Sequence, residues 1–160
     1  PPAAAAWQPG SGGPQQWRPA IPHLHLALAL LSSDNKIMSK RCPGAIPLGI
    51  GAITNMKFTI NKLGVATLLP KSNFMSYGIL WIINEKHERN LDKIEGVKRN
   101  YYYREYVEVN IGKAICKSLI YFACDEKNGT AKNGYIQLIL DGINFFDGHK
   151  TWYNEIQSFK

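Results

Sequence analysis

The apolar positions of the chain fall into short runs and two helical stripes. Residues 24–31 are almost continuously apolar and of strand length. Ser33 or Asp34 can cap a short helix after them, ending near Arg41, where Cys42-Pro43-Gly44 breaks the pattern. Residues 49–60 and 65–69 are strand-like, and residues 77–83 form the strongest apolar strand of the chain. Asn84 suits the N-cap of a helix that buries Leu91 and Ile94 and stops at Gly96, directly after Glu95. Residues 101–109 alternate around Arg104, Glu105 and Glu108, as a half-solvated strand does; residues 111–113 turn, and residues 114–124 return as a largely buried strand. Tyr135, Leu138, Ile139, Gly142, Ile143 and Phe146 keep helical spacing, and a short helix over residues 151–159 ends the chain. The elements predict one α+β domain over residues 23–160, a mixed sheet closing toward a small β-barrel with helices at its edges.

Residues 1–22 break with this pattern. Pro1, Pro2, Pro9, Pro14, Pro19 and Pro22 are spread among alanine, glycine and glutamine. Such a segment buries too little apolar surface to offset its ordering entropy, so a disordered or non-native leader without catalytic content is expected. Composition adds bounds. A chain of 160 residues with 45% hydrophobic and 19% charged residues holds one sizeable core. The net charge of +7 admits anionic ligands, but the lysines and arginines are scattered, so no nucleic-acid partner is predicted. The run at residues 24–31 is too short to cross a bilayer, and no membrane partner is predicted. Cys42, Cys116 and Cys124 are odd in number and far apart, which fits reduced thiols in a cytoplasmic protein rather than a disulfide framework.

The candidate chemistry centres on Leu91-Asp92-Lys93-Ile94-Glu95-Gly96-Val97 and the run Tyr101-Tyr102-Tyr103. A carboxylate at a helix end is firmly held by its backbone and can point into a cavity. Neighbouring tyrosines would lower the local polarity, raise its pKa and suit it to moving protons. Other features are read as structural. His23 and His25 share a strand face but have no third metal ligand, and Gly49-Ile50-Gly51 reads as a strand bulge. Cys116 and Cys124 read as core thiols, His87 and His149 as helix-surface residues, and Asn128-Gly129-Thr130 as a turn. Taken singly, Tyr121 and Tyr135 read as core aromatics.

Together these segments resemble the gamma-glutamylcyclotransferase-like family. The resemblance is carried by Tyr77-Gly78-Ile79-Leu80-Trp81, by Leu91-Asp92-x-x-Glu95-Gly96-Val97 and by the tyrosine run. Met38-x-x-Arg41-Cys42-Pro43-x-Ala45, Ser118-Leu119-Ile120-Tyr121, and Gly134-Tyr135 with Leu138-Ile139 and Asp141-Gly142 support it. It implies a small mixed β-barrel flanked by helices. It implies an enzyme that releases 5-oxoproline from gamma-glutamyl amino acids, amines or peptides, with no cofactor and no metal. It also implies that Glu95 is the catalytic general acid/base and that Tyr121 and Tyr135 contact the substrate. One stretch departs from the family. Where its first strand runs into a Tyr-Gly-Ser-Asn-type loop whose backbone holds the substrate, this chain has Ala27-Leu28-Ala29-Leu30-Leu31. A loop shifted to Ser32, Ser33, Asp34 and Asn35, an altered first segment, or a catalytically impaired member that binds a small anion or a protein are the alternatives this departure opens.

Overall fold

The computed structural model describes residues 5–7, 17–19, 24–30 and 35–160. Within 1–22, β1 (Ala5–Trp7) and β2 (Trp17–Pro19) form a short antiparallel pair, which the proline-rich pattern does not predict. The candidate caps Ser33 and Asp34, and with them His23, Leu31 and Ser32, lie outside the described residues.

Five strands close a barrel in the order β3-β5-β4-β6-β7, and four α-helices among the described residues flank it. This is the α+β barrel that the periodicity predicts. β3 (Leu24–Ala29) pairs antiparallel with β5 (Ala66–Asn84), from Leu24 opposite Asn84 to Ala29 opposite Ile79. Its other edge meets β7 (Ala114–Ala123) in parallel at Ala27 and Leu119, which closes the sheet. β4 (Ile46–Ile60) and β5 form a long hairpin. β6 (Tyr102–Ile111) and β7 form a second, turned at Gly112 and Lys113. The bulge expected at Gly49-Ile50-Gly51 falls one residue earlier: the register slips at Leu48, between Pro47 and Gly49, and residues 49–51 pair in continuous register with β5.

The interior is filled from every strand. Leu28, Ile79, Leu80, Val109, Leu119 and Ile120 are each under 5% exposed; burying one such aliphatic side chain is worth about 1.5–3 kcal/mol. Leu28 has room because two glycines face it. A Cβ on Gly51 would come within 3.0 Å of Leu28 Cδ1, and one on Gly78 within 3.0 Å of Leu28 Cγ. The helix pair α3 (Tyr135–Phe145) and α4 (Lys150–Gln157) covers part of the barrel, with Ile139, Leu140, Ile143, Trp152 and Ile156 buried.

Four expectations need correction. Ile94, expected to be buried with Leu91, is exposed at the end of its helix. Residues 65–69 and 77–83 are two halves of one strand, β5. The ladder is interrupted where Met56 pairs with Pro70 and Thr54 with Met75, so residues 71–74 bulge opposite Asn55. Asn55 and Asn73 both take positive φ there, and the Asn73 N–H donates to Asn55 Oδ1 at 3.2 Å. Proline is tolerated at such an irregularity. His87 is buried rather than on the helix surface. It closes a capping box with Asn84: Nδ1 accepts from the Asn84 N–H (3.2 Å), so Nε2 carries the proton and donates to the Pro43 carbonyl (2.6 Å). Cys124 is exposed, one residue past β7, while Cys116 is a core thiol as expected. His149, exposed, accepts from the Trp152 N–H (3.1 Å) and caps α4.

Candidate active site

α2 (Glu85–Ile94) is capped at its start by Asn84 and ends on Glu95, whose N–H still donates to the Leu91 carbonyl at 2.8 Å. Gly96 then takes φ 66°, and a Cβ there would meet Tyr101 Cδ2 at 2.6 Å. Both the backbone angle and the space require glycine, so the helix must stop here and turn toward β6. The turn leaves the Glu95 side chain beside a cavity of about 230 Å³.

Several elements line that cavity, which stays partly open. Residues 27–30 come from β3 and its end, Met38 and Arg41 from α1 (Asn35–Arg41), and Leu91, Ile94 and Glu95 from α2 and its cap. Tyr102 of β6, Tyr121 of β7 and Tyr135 of α3 complete it, with Val65 and Ala66 between them. The three site residues expected from the sequence, Glu95, Tyr121 and Tyr135, therefore line one hollow. Of the tyrosine run only Tyr102 faces it; Tyr101 and Tyr103 are exposed, as strand alternation requires. Of the two histidines at the start of the domain, His23 lies outside the described residues, and His25 Nε2 lies 3.8 Å from Glu88 Oε2.

Glu95 meets Arg41 Nη1 at 3.4 Å, both side chains being less than a quarter exposed. Burial raises the Glu95 carboxyl above the usual carboxylate range, and Arg41 opposes that rise. The phenols are fixed by hydrogen bonds of opposite sense. Tyr102 Oη donates to the Ala66 carbonyl (3.2 Å), while Tyr135 Oη accepts from the Ala66 N–H (2.9 Å). Tyr121 Oη donates to Asp92 Oδ1 at 2.7 Å. Burial holds the Tyr135 hydroxyl up to about 12 and raises those of Tyr102 and Tyr121, with the Asp92 carboxylate adding to the rise at Tyr121. All three stay protonated at neutral pH.

Asp92 is held in turn by Arg104 Nη1 (2.9 and 3.1 Å to its two oxygens), and Arg104 Nη2 also pairs with Glu88. Tyr106 Oη adds a hydrogen bond to Glu88 Oε1 at 3.2 Å. The helix that carries Glu95 is thus fastened to the β6–β7 hairpin by charge-assisted hydrogen bonds. The sequence offered Asp92 and Arg41 only as motif positions and Tyr102 only as one of three neighbouring tyrosines, none of them with a role of its own. For Asp92 a signal was present: it sits three positions before Glu95, on the same helix face. For Arg41 the motif gave no sign that it meets Glu95, because only the tertiary packing of α1 brings it to α2.

Residues 76–145 match the AIG2-like family. No curated protein matches the chain in sequence. Among solved structures, a gamma-glutamyl cyclotransferase superimposes with a TM-score of 0.80 at 17% identity, over 86% of this chain and 88% of the other. An uncharacterized human protein gives 0.81 at 17% identity, over 86% and 89%. A mouse AIG2-like protein gives 0.53 at 17% identity, over 71% and 83%. The barrel is therefore the gamma-glutamyl cyclotransferase fold. The family match and the fold together support placing this chain among the gamma-glutamyl cyclotransferase-like, AIG2-like proteins.

Proposed function

We propose that this protein is a cyclotransferase that releases 5-oxoproline from a gamma-glutamyl amino acid, amine or peptide, with Glu95 as general acid/base. The observation that carries the reading is a half-buried carboxylate with a raised pKa, lining a partly open cavity beside three protonated tyrosines. The substrate's α-amine must attack its own γ-carbonyl, and at neutral pH that amine is protonated. Glu95 removes the proton, the five-membered lactam closes through the tetrahedral intermediate, and Glu95 returns the proton to the departing amine. Because ring closure is intramolecular, holding the gamma-glutamyl chain folded supplies much of the acceleration. Tyr135, whose oxygen already accepts from Ala66 N–H, can turn its own proton toward the developing oxyanion. Tyr121 and Tyr102, whose protons are committed, present oxygen lone pairs to the substrate amine.

The test is to mix purified protein with a panel of gamma-glutamyl dipeptides and gamma-glutamyl-lysine and to measure 5-oxoproline. Product should form with at least one substrate and be lost in Glu95→Gln. Equal product from Glu95→Gln refutes the role of Glu95. A second reading, a catalytically impaired relative that binds a small anion or a protein, draws on β3. Residues 27–30 stand where the resemblance calls for a glycine-bearing loop, and up to Ala29 they belong to a strand. Robust turnover would eliminate that second reading.

A further inference from the structure

The three phenols of the cavity are not equivalent. Tyr102 and Tyr135 are bound to the neutral main chain of Ala66, one at its carbonyl and one at its N–H. Tyr121 is bound to a carboxylate instead, and its contact to Asp92 Oδ1, at 2.7 Å, is the shortest of the three. Asp92 is fixed in turn. Arg104 Nη1 reaches both of its oxygens, at 2.9 and 3.1 Å, and the same guanidinium pairs with Glu88, which also accepts from Tyr106 Oη. A carboxylate only accepts, so the sense of the Tyr121–Asp92 bond is set and the phenol's proton is committed to it. What Tyr121 has left for a ligand is an oxygen lone pair. Hydrogen bonds in series polarise one another, so the negative charge behind that oxygen makes it a stronger acceptor than a phenol bound to a main-chain amide.

Such an acceptor suits a cationic donor. We propose that Asp92 is a positioning residue for the substrate's α-amine, acting through Tyr121, whose oxygen it holds ready to accept one amine N–H. The inference rests on the cyclotransferase reading, in which the ligand brings an α-ammonium into the cavity. One proton of that ammonium passes to Glu95. A second N–H is held by Tyr121, and the lone pair released on the nitrogen is turned toward the γ-carbonyl. A ligand without the amine gains nothing from Asp92.

The experiment compares a gamma-glutamyl substrate with its desamino analogue, the glutaryl amide of the same leaving amine, assayed as a competitive inhibitor. Both are measured on the wild type, Asp92→Asn, Tyr121→Phe and the double variant, with a thermal melt of each. Asparagine keeps the size of the side chain, and Arg104 keeps Glu88 as a partner. Asp92→Asn and Tyr121→Phe should each lower kcat/KM by about 10- to 100-fold, the range for a hydrogen bond to a charged group, while Ki for the desamino analogue stays within about 3-fold. A merely structural Asp92 would weaken both ligands alike, because it sits one turn before Glu95 and its loss would displace that carboxylate too. The double variant should lose no more than Tyr121→Phe alone, since the hydroxyl through which Asp92 acts is already gone. Should Asp92→Asn fail to fold, Tyr121→Phe decides by the same split between the two ligands. Wild-type turnover with kcat/KM unchanged in Asp92→Asn or in Tyr121→Phe, equal losses on both ligands, or additive losses in the double variant overturns the positioning role and leaves the reaction standing. Absence of 5-oxoproline from every gamma-glutamyl compound offered to the wild type overturns both.

Discussion

The two sides of the cavity are built on opposite principles. Among the described residues, the α2–β6–β7–α3 side brings all of the cavity's phenols and its one carboxylate, beside the apolar Leu91 and Ile94. A helix-end glutamate, three phenols and the Asp92–Arg104–Glu88 network are held there by directional bonds. The β3 side is a core strand. Ala27 and Leu28 are at most 5% exposed, and Leu28 is seated against Gly51 and Gly78. Residues 76–145, which match the AIG2-like family, supply nearly all of the first side and none of the second. The proton chemistry and the barrel closure are therefore carried by different segments, and they should fail separately.

Two substitutions test that separation. Glu95→Gln should lower turnover by about 10²- to 10⁴-fold, the usual contribution of a general base, or about 3–5 kcal/mol of transition-state stabilisation. Its melting temperature should not fall, because a neutral amide removes a desolvated charge. Steady-state kinetics and a thermal melt read both. Leu28→Ala should do the reverse and destabilise by about 2–5 kcal/mol in denaturant unfolding, as a buried leucine truncated in a packed core does. The turnover of the fraction that remains folded should fall far less than in Glu95→Gln. If Leu28→Ala leaves the denaturation midpoint unchanged, β3 is not the core strand described here.

The contrast also explains what the sequence revealed. Local signals were enough for α2: a cap at Asn84, apolar spacing, and a glycine stop after Glu95. Tyr121 and Tyr135 became site candidates only through resemblance, since a strand tyrosine and a helix tyrosine look like core residues until the barrel closes. Pro70 hid the continuity of β5, because a strand that resumes beyond a four-residue bulge looks like two strands. Arg41 was legible only as a motif position, because its partner lies 54 positions away and the contact exists only once α1 packs on α2.

A smaller effect should come from the far end of α2. Asn84→Ala removes the side-chain acceptor for the His87 N–H, and loss of such a cap costs about 0.5–2 kcal/mol. α2 is fastened near its other end through Asp92 to Arg104 and Tyr121. Stability should therefore drop while KM and kcat change little. A fall in kcat as deep as that of Glu95→Gln would mean that the cap, rather than the network on the polar side, positions the carboxylate.

The smallest effect is a displacement along the pH axis, and its sign follows from the charges around Glu95. Burial raises the carboxyl and Arg41 lowers it, with burial the larger influence. As a base, Glu95 works only when ionised, so kcat/KM should rise with pH through a limb above the usual glutamate range. Arg41→Gln removes the influence that lowers the pKa, so the limb should move further toward alkaline pH. Stability should follow the same group. A carboxyl whose folded pKa exceeds its unfolded value binds more protons when folded, so wild-type stability declines as pH climbs between the two values and stays lower above them. Glu95→Gln lacks that decline, and its stability gain over wild type should vanish at acid pH. A limb that stays in place in Arg41→Gln would show that the base being titrated does not face Arg41, and would move the search to Asp92, the other carboxylate wired to the cavity through Tyr121.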